Sequence, residues 1–275
     1  ITGLEDGGPA WADAGVIVPW NHFEMYGDVR ALERQFPYML KFIEFNRNRF
    51  TADLRPPEKF HCFGDWLNIE AETPHDVLYS AYFAKSADLT ARAARVLGRT
   101  ADAERLEALF GQLKEAFQRA YVSPDGRIKG ETQTAYALAI DAGLLPDELV
   151  SVAGERLVED LMKRGVRLST GFVGTRDLMF ALTKIGRSDL AYRLLLSKEF
   201  PSWGFTIENG ATSIWERWNG WTPEKGFNDP GMNSFAHYAF GAVGEWLFRV
   251  VGGIEAVDPG FSRIRIQPHL GPGLT

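Results

Sequence analysis

TQTAYALAI, residues 132–140, is apolar on more than one helical face. A surface helix carries a single apolar stripe, so a helix apolar nearly all round is expected to lie inside, enclosed by others. Its neighbours supply the enclosing elements. Downstream of Asp28, Val29, Leu32, Phe36, Met39, Leu40 and Ile43 fall on one face at helical spacing, with Asp28 as the cap and Pro37 expected to kink the helix. Before it, a helix is predicted over Asp13–Tyr26, stopped by Gly27. After it come helices over His75–Leu97 and Thr100–Tyr121, the latter capped by Thr100, then one opened by Pro146 and two capped by Thr175 and Ser188. A last helix is predicted over Asn233–Val251. About nine helices joined in pairs by short turns make an all-α chain.

Two stretches interrupt this pattern, residues 49–74 and 201–232, and loops of such length tend to carry function. The second contains ATSIWERWNGW, residues 211–221, with tryptophans at 215, 218 and 221. Three tryptophans within seven residues, flanked by Gly210 and Gly220, are hard to explain as core packing. Indole rings offer rigid apolar faces to sugar C–H groups, so Trp215 and Trp218 are expected to form a platform around Glu216. A carboxylate so placed suits a general base, while an ion pair of Glu216 with Arg217 explains the spacing equally well. FGDWL, residues 63–67, offers Asp65 as an acceptor for hydroxyls and Trp66 as a second stacking face; alternatively Asp65 stabilises its loop and Trp66 is core. Asp13, in PAWADA, is a ligand candidate or simply the cap of the first helix.

Composition narrows the classes. The net charge of -6 has no basic cluster to match a phosphate backbone, which argues against nucleic acid. No apolar run approaches a bilayer span, and no metal-ligand spacing, nucleotide loop or nucleophile elbow is present, so neither membrane nor cofactor is expected. The single Cys62 excludes an internal disulfide and, with no export signal visible, favours a cytoplasmic compartment. His237 by itself reads as a core histidine on an aromatic face.

Six motifs then carry a resemblance. WADAGVIVPW (11–20), FGDWL (63–67), TQTAYALAI (132–140), STGFVGT (169–175), GATSIWERWNGW (210–221) and MNSFAHYAFGAVGEWL (232–247) resemble, in the same order, the catalytic domain of bacterial α-L-rhamnosidases, glycoside hydrolase family 78. The resemblance implies an (α/α)6 toroid over residues 1–255, and the closing GFSRIRIQPHL resembles the entry to a C-terminal β-sandwich over 256–275. It implies inverting hydrolysis of terminal α-linked L-rhamnose from glycosides, with Glu216 as base and with Trp11, Trp66 and His237 lining the pocket, Asp13 and Asp65 nearby.

The family's general acid sits on a segment N-terminal to the WADA motif, roughly of the form ERLGWTGD, which has no counterpart here. The expectation is a toroid lacking its N-terminal helices, impaired as a catalyst, with uncovered helix faces available for self-association. A carbohydrate-binding fragment and an (α/α)6 hydrolase of another α-glycoside are the alternatives. The strand-like IRIQP, 264–268, is expected to need partners from outside these residues.

Overall fold

The computed structural model describes residue 8 and residues 10–272. Its helices are α1 (Ala14–Tyr26), α2 (Val29–Arg49), α3 (His75–Val96), α4 (Thr100–Tyr121), α5 (Gln133–Asp141), α6 (Asp147–Lys163), α7 (Phe172–Lys184), α8 (Ser188–Leu196), the short α9 (Trp203–Glu208) and α10 (Val243–Trp246). They pack as hairpins α1–α2, α3–α4, α5–α6 and α7–α8. The first member of each hairpin lies beside the first member of the next, and α10 follows against α7. An inner row α1, α3, α5, α7, α10 is thus backed by an outer row α2, α4, α6, α8, the arrangement of an (α/α)6 toroid.

Amphipathicity assigns the rows. In α5 every residue from Gln133 to Ile140 is buried, as expected of an enclosed helix, and each large apolar side chain contributes about 1.5–3 kcal/mol on burial. Outer α2 buries only the stripe Leu32, Phe36, Met39, Ile43 with Asn46 and leaves Val29 exposed. It runs without interruption from 29 to 49, so Pro37 does not break it. Asp28 caps it as expected, its side chain accepting from the amides of Arg30 and Ala31, and Gly27 ends α1 with a φ of 67°. Helix α1 buries Val16, Trp20 and Phe23 but leaves Val18, Met25 and Tyr26 exposed.

Several expectations at helix ends are corrected. Thr175 lies inside α7, which starts after Gly171, and its hydroxyl donates to the Gly171 carbonyl. Thr100 and Ser188 are first helical residues whose side chains cap nothing. Asn233–Tyr238 is not helical: the chain stays irregular to a 3₁₀ turn at Ala239–Ala242, then forms α10 and a π-helical turn at Leu247–Val251. The stretch 201–232 contains α9 and a small hairpin, β1 (Trp221–Thr222) with β2 (Gly226–Phe227). The strand at 264–268 finds its partner within the chain, since β4 (Ile264–Ile266) pairs antiparallel with β3 (Ile254–Ala256).

A charged network ties members of the inner row to one another. Arg176 of α7 bonds Asp177 beside it, Asp141 at the end of α5 (3.2 Å) and Glu245 of α10 (2.7 Å). Lys85 of α3 reaches Asp177 at 3.6 Å, and Lys184 reaches Asp141 at 2.7 Å. Burial opposes the charge on Arg176, but the surrounding carboxylates outweigh it and hold the guanidinium well above its ordinary pKa. Among the described residues no helix is long and apolar enough to cross a membrane.

Candidate active site

The loop after α2 is anchored from behind by one carboxylate. Asp65 is 1% exposed and accepts from the amides of Gly171 (2.8 Å), Val173 (2.8 Å) and Gly174 (3.1 Å) and from the Thr134 hydroxyl. Burial pushes its pKa up, opposed by those donors. With four donors on its two oxygens it has no accessible face for a sugar, which corrects the reading of Asp65 as a direct acceptor. The next residue, Trp66, is 37% exposed, and its carbonyl accepts from the Phe172 amide at 2.9 Å. A Cβ at Gly171 would collide with the carbonyls of Asp65 and Trp66, so only glycine permits this approach.

Asp13 behaves alike. It is 2% exposed and accepts from the Ala10 amide (2.8 Å) and the Ser86 hydroxyl of α3 (2.6 Å). Burial pushes its carboxyl up to about 6, against the Ser86 and Ala10 bonds and the nearby Lys85 charge. Its side chain neither caps α1 nor reaches solvent. Trp11, two residues earlier, is 36% exposed.

Around these anchors the aromatic rings form a continuous surface. Trp66 meets Phe63 at 6.1 Å between centroids, Phe63 meets Trp11 edge-on at 5.4 Å, and Trp11 meets Phe172 at 6.3 Å. Phe172 stacks on His237 at 5.0 Å and 30°. Trp11, Trp66 and His237, expected together, are therefore brought together through Phe63 and Phe172. Neither phenylalanine stood out in sequence, since each sits in irregular chain or at a helix start with no period to mark it. The His237 Nδ1 accepts from the Ala239 amide at 3.3 Å, which leaves the proton of a neutral ring on Nε2.

Glu216 joins this surface through a short antiparallel pairing. Its amide donates to the Ser234 carbonyl (2.8 Å), the Ser234 amide donates to Glu216 Oε2 (2.8 Å), and the His237 amide donates to the Ile214 carbonyl (2.9 Å). Glu216 as a residue is half-buried. It does not pair with Arg217, whose guanidinium donates to Asn228 at 3.1 Å, so the loop-fixing ion pair is not what holds it.

The expected indole platform around Glu216 divides instead. Trp218 is 3% exposed, stacked on Phe240 at 4.0 Å and edge-on to Trp203 at 5.3 Å, and belongs to the core. Trp215 is 7% exposed and packs edge-on against Phe235 at 5.0 Å. Its neighbours Trp221, Phe227, Asn209, Thr212 and Ser213 line a shallow pocket of about 300 Å³. Among the described residues no three His, Cys, Asp or Glu side chains gather as a metal site.

Paired helix hairpins thus carry a carboxylate tied by backbone bonds to the segment that holds His237 of the aromatic surface. Residues 2–251 match the family model of the bacterial alpha-L-rhamnosidase 6 hairpin glycosidase domain, and the chain belongs to that family. It is 44% identical over 275 residues to an alpha-L-rhamnosidase of Streptomyces avermitilis, covering all of this chain and 26% of that protein. An alpha-L-rhamnosidase of an Alteromonas species is 39% identical over 272 residues, covering 94% of this chain and 29% of that protein. The chain thus spans about a quarter of the length of the curated relatives it matches.

Its fold superposes on the crystal structure of the Streptomyces avermitilis alpha-L-rhamnosidase complexed with L-rhamnose with a TM-score of 0.92 at 44% identity, covering 96% of this chain and 25% of that one. The Aspergillus terreus alpha-L-rhamnosidase gives a TM-score of 0.92 at 32% identity, covering 96% of this chain and 32% of that one.

Proposed function

We propose that this chain provides the sugar-holding and water-activating side of an inverting hydrolase of terminal α-linked L-rhamnose. The observation that carries the proposal is the connected surface Trp66, Phe63, Trp11, Phe172, His237, joined through the 214–216 and 234–237 pairing to the half-buried Glu216. L-Rhamnose is a 6-deoxy sugar, and its methyl group and C–H faces are apolar area that aromatic walls take from water. The His237 Nε2–H and the indole N–H groups are donors suited to its hydroxyls. Membership of the rhamnosidase family and the likeness to a structure complexed with L-rhamnose support the choice of sugar.

Glu216 is the proposed base. Inversion requires it to deprotonate a water on the face opposite the leaving oxygen, with a general acid about 6.5–9.5 Å away to protonate that oxygen. The other two aspartates tied to the aromatic surface are both turned inward, Asp13 onto Ser86 and Asp65 onto α7, and neither is free to act as that acid. Sugar binding and water activation are therefore assigned to these residues, and the acid is not. Two assays test the reading. With an aryl α-L-rhamnoside, these 275 residues are expected to turn over about 10²–10⁴-fold more slowly than an enzyme with both groups, because neither Asp13 nor Asp65 is free to give a proton, and full activity overturns that reading. In a rhamnosidase containing this chain, Glu216→Gln is expected to lower kcat by about 10²–10⁴-fold; an unchanged kcat removes Glu216 as base.

A second reading, sugar binding without cleavage, is favoured by the inward turn of both aspartates. Calorimetric titration with L-rhamnose alongside turnover separates the two.

A further inference from the structure

We propose that Asp65 is a positioning residue that locks the Trp66 loop to the N-terminus of α7, and so fixes the spacing of Trp66, Phe172 and His237 on which sugar binding depends. The inference rests on the proposed function for its ligand, but the clamp itself stands on geometry. Helix α7 opens at Gly171, which has no side chain to satisfy its first amides. Those amides are taken up by a carboxylate 106 residues earlier in sequence: Gly171 and the Thr134 hydroxyl donate to Oδ2, and Val173 and Gly174 donate to Oδ1. A negative group at a helix N-terminus is stabilised by the helix dipole as well as by the bonds themselves.

The same contact is sealed on both sides. Phe172 donates to the Trp66 carbonyl at 2.9 Å, and Ile69 donates to the Ser169 carbonyl at 3.0 Å. Loop 63–69 and segment 169–174 therefore move as one body. Phe172, inside that body, is the ring against which His237 stacks and Trp11 leans. The loop holding Trp66 has no helix or strand of its own between residues 50 and 74, so these bonds, together with the Phe63 ring contacts, set where the Trp66 ring stands relative to His237.

The test is made on this chain with L-rhamnose as probe. Amide hydrogen exchange and calorimetric titration are run on the wild type, Asp65→Asn, Phe172→Ala and the double variant. Asp65→Asn leaves one acceptor and sets an NH₂ against a donor. It is expected to speed exchange at Gly171, Val173 and Gly174 by about tenfold or more, with α4 and α6 unchanged, and to weaken L-rhamnose binding about tenfold. If Asp65 works through α7, its loss and that of Phe172 do not multiply in the double variant.

Unchanged exchange at the three amides overturns the clamp, and binding losses that multiply overturn the route through Phe172 in favour of direct contact with sugar. Should Asp65→Asn fail to fold, Thr134→Val, which removes one donor of four, is expected to give the same pattern at about threefold amplitude, and unaltered exchange in it counts equally against the clamp. A wild-type chain that binds no L-rhamnose sinks the proposed function, while the exchange data still decide on the clamp.

Discussion

Trp66 and Trp218 carry the same ring into opposite physical situations. Trp218 lies between Phe240 and Trp203 with 3% of its surface exposed, so Trp218→Ala empties a core site and is expected to cost about 3–5 kcal/mol in urea unfolding. Trp66 already presents 37% of its surface to solvent. Trp66→Ala is expected to weaken L-rhamnose binding while shifting Tm by much less than Trp218→Ala; equal Tm losses contradict the assignment. Asp13 gives a pH signature. Its folded-state pKa of about 6 exceeds the ordinary 3.8, so between about pH 4 and about pH 6 the folded chain binds more protons than the unfolded one. Stability then falls as pH rises through that window, by up to about 3 kcal/mol from this group, and is flat above it. Asp13→Asn, measured by thermal unfolding across pH, is expected to remove that part of the slope.

At the scale of elements, the start of α7 shows where local rules stop. Gly174 lies within the first turn, and alanine there is favoured by intrinsic propensity by about 1 kcal/mol. Its Cβ would nevertheless collide with the Thr134 side chain of α5, and overpacking of that kind costs about 1–3 kcal/mol. Gly174→Ala is therefore expected to destabilise, read as a lower urea midpoint, although a helix scale alone gives the opposite sign. The caps of α2 and α5 were within reach of sequence reasoning because Asp28 and Thr132 bond amides two or three residues away. The cap of α7 was not, because Asp65 comes from another loop. The final helix is shorter than its periodicity predicts for a related reason: Phe235 and Tyr238 have helical spacing with Ala239 and Ala242, but the backbone of 234–237 is claimed by pairing with 214–216.

For the whole molecule, the network around Arg176 joins α3, α5, α7 and α10. Arg176→Leu leaves Asp177, 1% exposed, with only Lys85 as counter-charge. Stranding buried Asp177 by removing its nearest partner is expected to cost about 3–5 kcal/mol by urea unfolding.

The all-α class, most helix boundaries to within a residue or two, and the inner place of α5 were determined by the sequence itself, since helical periodicity and caps are signals carried by residues within one or two turns of each other. The candidate site residues were legible only as a set of unusual side chains: Trp11, Trp66, Glu216 and His237 stood out, and so did Asp13, Asp65, Trp215 and Trp218. Tertiary structure alone decided which of these are open to solvent and which are turned inward. It turned Asp13 to a hydroxyl 73 residues away and Asp65 to amides up to 109 residues away, and it buried Trp218 while leaving Trp66 open. The physical reason is that exposure and hydrogen-bond partnership belong to the packed ring of helices, where a residue's neighbours are set by contacts that no local stretch of chain contains.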